Sequence, residues 1–130
     1  MPDMNTKRKI LVIDDDDINL YRAENLLKDE FAVTTAESGK KALELIYKNY
    51  IPGLILLDII MPEMDGWETY HRLKAISFLH DVPIVFLTSL EGATDRKYAE
   101  DLGAAGYITK PCSKEDLLKN LKTILKEREK

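Results

Sequence analysis

Acidic, hydroxyl and lysine side chains end four short apolar runs of this chain. They are the acid pair Asp14 and Asp15, the lone acid Asp58, the hydroxyl residue Thr88 and the lysine Lys110. Carboxylates are the hard oxygen ligands that Mg²⁺ prefers, and a lysine ammonium group is a point charge that pairs with a phosphoryl oxygen. If the ends of these runs meet in the folded chain, they form a site for a divalent cation and a phosphoryl group.

Each of these residues also has an ordinary structural interpretation when it is taken alone. An aspartate after a buried strand commonly caps a helix, Thr88 alone would be a normal β-branched strand residue, and Lys110 alone would be a surface lysine. Asp16 and Asp17 extend the first acid run and are better explained as capping or solvent-facing residues, and we expect Asp17 to cap the first helix. The functional interpretation therefore depends on the whole set.

The size and composition of the chain are typical of one globular domain. It has 130 residues, of which 45% are hydrophobic and 32% charged, and its net charge of -4 disfavours direct binding to nucleic acid. The one cysteine, Cys112, excludes an internal disulfide and suits a reducing cytoplasm. No apolar stretch approaches the ~18 residues of a membrane span, and the polar N terminus does not resemble a signal peptide. We therefore expect a cytoplasmic protein that contacts no membrane, with a flexible tail over residues 1–8 and one domain over residues 9–130.

Short apolar runs alternate with amphipathic stretches along the chain, which predicts five βα units. The predicted strands are residues 10–14, 32–36, 54–57, 83–88 and 106–109. The predicted helices are residues 18–29, a second beginning at Ser38 and Gly39, and then 66–75, 94–102 and 113–128, with Gly103 ending the fourth.

Five such units with short connections predict an α/β fold, a flavodoxin-like, doubly wound (βα)5 sandwich around a parallel five-stranded sheet. Because the crossovers must be right-handed, few topologies remain, and a central first strand favours the strand order 2-1-3-4-5. That order brings the ends of strands one and three together, so it places Asp14 and Asp15 beside Asp58.

Segments in four parts of the chain resemble the receiver domain of two-component response regulators, the CheY-like superfamily. The matching segments are residues 10–16 (ILVIDDD), 56–58 with 61–66 (LLD and MPEMDG), 83–89 (PIVFLTS) and 103–111 (GAAGYITKP). They lie in the expected order and at the expected spacing over nearly the whole chain. One such segment would be weak evidence, whereas four in register are strong evidence.

The resemblance implies that Asp58 accepts a phosphoryl group from the phosphohistidine of a sensor histidine kinase or of a phosphotransfer protein. It also implies a bound Mg²⁺, with Mn²⁺ as an alternative ion. The direct ligands would be Asp15, Asp58 and the main-chain carbonyl of Ile60, while Asp14 would hold the ion mainly through water.

The resemblance further implies that Thr88 and Lys110 each contact a phosphoryl oxygen, and that Thr88 and Tyr107 act as switch residues. A tyrosine at position 107 could also be simple strand packing. The Lys110–Pro111 bond resembles the family's cis peptide. The output surface would be the face of helix four, strand five and helix five, which would bind a partner or a second copy of the domain.

Two other functions compete with this one. A Mg²⁺-dependent phosphotransferase or phosphatase acting on small substrates could also place a nucleophilic aspartate after a strand. One class of these enzymes has a second acid two positions later, where this chain has Ile60. A degenerate receiver that signals without phosphate is disfavoured by the intact site residues. We therefore expect a domain that catalyses only its own phosphorylation and dephosphorylation.

Overall fold

The computed structural model describes residues 7–128 of the chain. Five parallel strands form one sheet, in the order β2-β1-β3-β4-β5. The strands are β1 Arg8–Ile13, β2 Phe31–Ala36, β3 Leu54–Leu57, β4 Ile84–Thr88 and β5 Gly106–Thr109. The predicted fold and strand order are thus confirmed.

Five helices cover the two faces of this sheet. They are α1 Asp17–Leu27, α2 Gly39–Tyr47, α3 Gly66–Lys74, α4 Ala93–Leu102 and α5 Lys114–Arg128, with a single 3₁₀ turn at Ser77–Leu79 between α3 and β4. Side chains of α2, α3 and α4 form the apolar core on one face, and those of α1 and α5 form the core on the other. No helix within residues 7–128 is long and apolar enough to cross a bilayer.

The central strands explain why the chain forms a parallel sheet. All four residues of β3 and all five of β4 are buried, since helices pack on both sides of them. Their near-continuous apolar sequence therefore suits a position inside the sheet and excludes an edge that faces water. The outer strand β2 is only partly buried and carries the more polar sequence.

Several predicted boundaries are wrong by one or two residues. Strand β1 begins at Arg8, so the last residue of the predicted tail belongs to the sheet, while residues 1–6 of that tail lie outside the described part of the chain. Helix α1 is capped by Asp16 and not by Asp17, because the Asp16 carboxylate accepts a hydrogen bond from the Ile18 N–H at 2.8 Å. Asp17 is instead the first helical residue. Gly103 ends α4 in the left-handed conformation, as predicted.

Candidate functional site

The register between β1 and β3 places the first acids side by side. Ile13 pairs with Leu57, and the ladder continues beyond the strands because the Asp58 N–H donates to the Ile13 carbonyl at 3.0 Å. Asp14 and Asp58 therefore leave two neighbouring strands at the same level of the carboxyl edge. In a doubly wound sheet this edge, between the first and third strands, is the usual position of a ligand site.

Three carboxylates meet at this edge. Asp14, Asp15 and Asp58 each offer an oxygen within 4.8 Å of the others. Asp14 and Asp58 are buried, with 5% and 7% of their surface exposed, whereas Asp15 is exposed. Asp16 and Asp17 are not members of this acid cluster. Three carboxylates with converging oxygens are the donor set that Mg²⁺ takes, so the residues present fit such an ion.

Lys110 reaches into the acid cluster from the end of β5. Its Nζ lies 2.7 Å from Asp14 Oδ2 and 3.5 Å from Asp58 Oδ2. The Lys110 N–H donates to the Thr88 carbonyl at 2.8 Å, and the following bond to Pro111 is cis, as the resemblance implied. The ammonium group is therefore held between two buried acids and offsets part of their charge.

The environment of Asp58 raises the pKa of its carboxyl group above the ordinary value of 3.8. Burial is the largest cause, because it penalises the charged form, and the neighbouring Asp14 adds to it. The Lys110 charge acts in the opposite direction, as do hydrogen bonds from the Thr88 hydroxyl and the Ile59 N–H. The carboxylate is thus a poorly solvated anion that gains from any further positive charge.

Thr88 connects the acid cluster to β5 through the segment that follows β4. Thr88 is fully buried, and its Oγ1 accepts a hydrogen bond from the Leu90 N–H at 3.3 Å. The Leu90 carbonyl in turn accepts a bond from the Tyr107 hydroxyl at 2.8 Å. Burial raises the pKa of the Tyr107 phenol, and this favours the protonated form that can donate this bond. Tyr107 therefore does not touch the acid cluster itself but is connected to Thr88 through Leu90.

A cavity of about 410 Å³ opens beside Asp58, between α1 and the start of α5. Asp58, Ser89 and Lys110 lie on its polar side, while Leu26, Leu87 and Leu117 contribute apolar surface. Asn19 and Arg22 of α1 also line it. Neither helical residue was predicted, because nothing in the local sequence distinguishes the half-buried Asn19 or the exposed Arg22 from other polar positions on α1.

The structure brings together most of the predicted site residues. Asp14, Asp15, Asp58 and Lys110 meet directly, and Thr88 contacts Asp58 through its hydroxyl. Ile60 lies two residues beyond Asp58, with 56% of its surface exposed. Arg96, which contacts Tyr107 from α4, was not predicted. The position of Arg96 opposite β5 depends on how α4 packs against the sheet, and the local sequence around Arg96 does not predict that packing.

The fold and the acid cluster define a doubly wound α/β protein with an acidic site at its topological break. Residues 10–122 match the response regulator receiver domain family, and the chain belongs to that family. Receiver domains are signalling domains of two-component systems. They interact with histidine kinases or phosphotransfer proteins and bind Mg²⁺ at an acidic pocket.

Similar proteins include longer regulators. "Probable transcriptional regulator ycf27" of Porphyridium aerugineum is 38% identical over 125 residues, which cover 95% of this chain and 50% of that protein. Response regulator PleD of Caulobacter vibrioides is 38% identical over 104 residues, which cover 79% of this chain and 23% of that protein. The chain thus spans about half, or less, of the length of these curated relatives.

Solved structures with the same fold include single receiver domains. A CheY-like receiver domain protein of Methanospirillum hungatei superposes with a TM-score of 0.85 at 27% identity, over 95% of this chain and 98% of that one. The Vibrio cholerae chemotaxis protein CheY4 gives a TM-score of 0.84 at 28% identity, over 92% and 99%. The described fold therefore matches these structures over nearly their whole length.

Proposed function

We propose that this chain is a phosphorylation-controlled receiver in which Asp58 is the phosphoacceptor. The phosphoryl donor would be a phosphohistidine of a sensor histidine kinase or of a phosphotransfer protein. The observation that supports this most directly is the position of Asp58, which is buried at the carboxyl end of β3, 3.5 Å from the Lys110 ammonium group and inside the acid cluster.

The proposed transfer is a displacement at phosphorus. A carboxylate oxygen of Asp58 attacks the phosphorus atom, the P–N bond to the donor imidazole breaks, and the imidazole keeps the electron pair and takes a proton. The product is an acyl phosphate on Asp58. Water later attacks the phosphorus, which releases inorganic phosphate and restores the carboxylate. The phosphoryl group passes to the protein itself, so the domain has no turnover on an external substrate.

Lys110 and Thr88 are placed to bind the transferred group. A phosphoryl group in transfer carries negative charge on its outer oxygens, so catalysis depends on positioned positive charge and hydrogen-bond donors. Lys110 Nζ already lies between Asp14 and Asp58 and needs only a small displacement to pair with a phosphoryl oxygen. The Thr88 hydroxyl, which points at Asp58, would donate a second contact.

Asp15, Asp58 and the main-chain carbonyl of Ile60 would hold Mg²⁺ directly, with Asp14 acting through water. The hydrogen bonds of Asp14 support this division, since its Oδ1 accepts the Asp16 N–H at 3.0 Å and its Oδ2 pairs with Lys110 at 2.7 Å. Both Asp14 oxygens are thus engaged. Asp58 also accepts the Ile59 N–H at 2.8 Å, but its Oδ2 lies farther from Lys110, at 3.5 Å, and Asp15 is exposed. When bound, the ion would neutralise charge on the phosphoryl oxygens.

Treatment with acetyl phosphate and Mg²⁺, followed by mass spectrometry of the digested protein, tests the phosphoacceptor. We expect one added phosphoryl group on the peptide that contains Asp58, and none after Asp58→Asn. The control is Asp16→Asn, which should be modified like the wild type because asparagine also caps a helix. Modification of Asp58→Asn at the wild-type level would overturn the assignment.

The same assay tests the ion. Chelation of Mg²⁺ should abolish modification, and Mn²⁺ should restore it. In a direct titration, Asp15→Asn should weaken Mg²⁺ binding by roughly tenfold or more, because a charged ligand is lost. Asp16→Asn should leave the binding almost unchanged. Equal weakening by the two substitutions would show that the ligand set is wrong.

A further inference from the structure

Helix α4 is the least deeply packed helix of the domain. Of its ten residues, all within the described part of the chain, Ala99 alone is buried, whereas α2 buries four residues. Its N-cap residue is Gly92, which makes no side-chain capping bond, so the first turn lacks the support that Ser38 gives to α2. Individual side-chain contacts between α4 and the sheet therefore have a large share in placing this helix.

Arg96 makes such a contact from the first turn of α4. Its guanidinium carbon lies 4.8 Å from the centre of the Tyr107 ring, and its Nη1 donates to the main-chain carbonyl of Tyr107 at 3.1 Å. A planar guanidinium group can stack on an aromatic face while an N–H at its edge donates a directed bond, whereas a lysine ammonium group has no planar face to stack. Arg96 thus covers the ring and fastens the backbone of the same β5 residue.

The ring that Arg96 covers is held at its other end by the segment after β4. The Tyr107 hydroxyl donates to the Leu90 carbonyl, the Leu90 N–H donates to Thr88 Oγ1, and the Thr88 hydroxyl lies close enough to Asp58 to lower the pKa of its carboxyl group. These contacts lead from the acid cluster to the surface of α4. In this arrangement, which we call the inward state, Thr88 faces Asp58 and Tyr107 is bonded to Leu90.

We propose that Arg96 is a positioning residue that stabilises the inward state of Tyr107 and thereby favours the form of the domain that accepts a phosphoryl mimic at Asp58. This inference rests on the proposed function of Asp58. A phosphoryl oxygen at Asp58 attracts the Thr88 hydroxyl, and Thr88 already faces Asp58 in the inward state. Because linkage is reciprocal, a side chain that stabilises the inward state strengthens binding of the mimic.

The first test uses the phosphate-free protein and therefore does not depend on the phosphoacceptor assignment. Ring signals of Tyr107 in protein carrying ¹³C-labelled tyrosine, assigned with Tyr107→Phe, report the proximity of the ring to Phe86, whose centroid lies 6.3 Å away. We expect Arg96→Ala to reduce the ratio of inward to outward ring by roughly threefold to fivefold, the range expected for an exposed cation–π contact. Arg96→Lys should restore only part of this loss.

Lys97→Ala is the matched control. Lys97 is the next residue on the same helix, is exposed, and pairs with Asp101 at 3.0 Å on the outer surface. The substitution Lys97→Ala removes the same unit of positive charge as Arg96→Ala, but Lys97 does not contact Tyr107. The inward-to-outward ratio of the ring should therefore remain at the wild-type value. An unchanged ratio in Arg96→Ala, or an equal change in Lys97→Ala, would overturn the proposal.

The second test measures binding of beryllofluoride, a phosphoryl mimic, in the presence of Mg²⁺. We expect Arg96→Ala to weaken binding by roughly threefold, in line with its effect on the ring. In a Tyr107→Leu background the ring is absent and only the main-chain bond from Arg96 to residue 107 remains, so Arg96→Ala should weaken binding clearly less than it does in the wild type. Tyr107→Phe serves if the leucine variant does not fold, because it keeps the stacked ring, and there Arg96→Ala should still weaken binding.

The two proposals fail in different ways. Absence of beryllofluoride binding to the wild-type protein would count against the proposed function. The inward-to-outward ratio of the Tyr107 ring would still test the positioning role of Arg96. Normal binding of the mimic to both the wild type and Arg96→Ala would reject the role of Arg96 and leave the assignment of Asp58 standing.

Discussion

Burial of Asp58 beside Asp14 destabilises the folded protein when no cation is bound. The pKa of Asp58 is raised, first by burial, so the folded chain holds this proton more tightly than the unfolded chain does. The free energy of unfolding therefore falls as the pH rises from the ordinary pKa of 3.8 through the raised folded pKa. Below this pH interval burial of Asp58 costs no stability through its charge, and above the interval the full loss in the free energy of unfolding is reached.

Asp58→Asn should therefore raise the free energy of unfolding at neutral pH, by about 1 kcal/mol. The amide removes the buried charge and retains an oxygen that can accept the Ile59 N–H at 2.8 Å. Urea unfolding at a series of pH values measures the effect, and the gain should vanish below pH 3.8, where the wild-type carboxyl is protonated in both states.

Mg²⁺ provides the control for this prediction. Saturating Mg²⁺ should stabilise the wild type more than Asp58→Asn, because the variant has lost a ligand. The difference in the free energy of unfolding between the two proteins should therefore become smaller. A variant less stable than the wild type at neutral pH without Mg²⁺ would show that Lys110 and the hydrogen bonds outweigh the cost of burial.

At the scale of elements, the start of α3 lies unusually close to the end of β3. A Cβ atom on Gly66 would stand 2.2 Å from the Asp58 carbonyl oxygen and 2.6 Å from the Ile59 Cα, and both are backbone atoms that cannot turn away. The Gly66 N–H also donates to the Ile59 carbonyl at 2.8 Å. This glycine therefore lets the loop after Asp58 fold back tightly, which keeps Asp58 at the sheet edge.

We expect Gly66→Ala to destabilise the domain by about 2–3 kcal/mol, because the added methyl group overpacks a backbone contact. It should also slow modification of Asp58, since the clash falls on the Asp58 main chain. Gly53→Ala is the matched control, because its Cβ would meet only the Lys9 carbonyl, at 3.4 Å. Chemical unfolding should place that variant within about 0.5 kcal/mol of the wild type. A similar result for Gly66→Ala would contradict the close-packing argument.

At the scale of the whole molecule, an aromatic cluster links α3, β4, α4 and β5. The Trp67 ring lies 4.9 Å from Phe86 and 4.6 Å from Tyr98 of α4, and Phe86 in turn packs near Tyr107. Trp67 is half-buried, as expected of a packing residue. A displacement at the acid cluster can thus reach α4 by two routes. One passes through Thr88 and Tyr107, and the other through the aromatic cluster that packs α4 against α3 and the sheet.

Phosphorylation should therefore alter the face formed by α4, β5 and α5, which would bind an output partner or a second copy of the domain. Amide chemical shifts measured with and without beryllofluoride check this. We expect changes along α4 and β5, because α4 is lightly packed, and little change in α2, which buries four residues. Asp58→Asn should show no response to the mimic. Changes limited to the loops around Asp58 would reject this output surface.

Much of the fold could be predicted from the sequence, because its determinants are local. Apolar runs with the lengths of strands, amphipathic stretches between them and right-handed crossovers left few sheet orders, and a central first strand favoured the observed one. That order alone placed Asp14 beside Asp58, and the placement of Lys110 at the end of β5 brought its ammonium group to the same edge. These are consequences of topology, so the candidate site could be found before any distance was known.

The tertiary structure alone decided which side chains touch. Lys110 pairs more closely with Asp14 than with Asp58, at 2.7 Å against 3.5 Å, although Asp14 is 96 residues away in sequence. Asp16 and not Asp17 caps α1, and Arg96 covers Tyr107. Such contacts depend on how helices rotate against the sheet and on which rotamer each side chain adopts. Those choices are set by packing between distant segments, which a local sequence pattern does not contain.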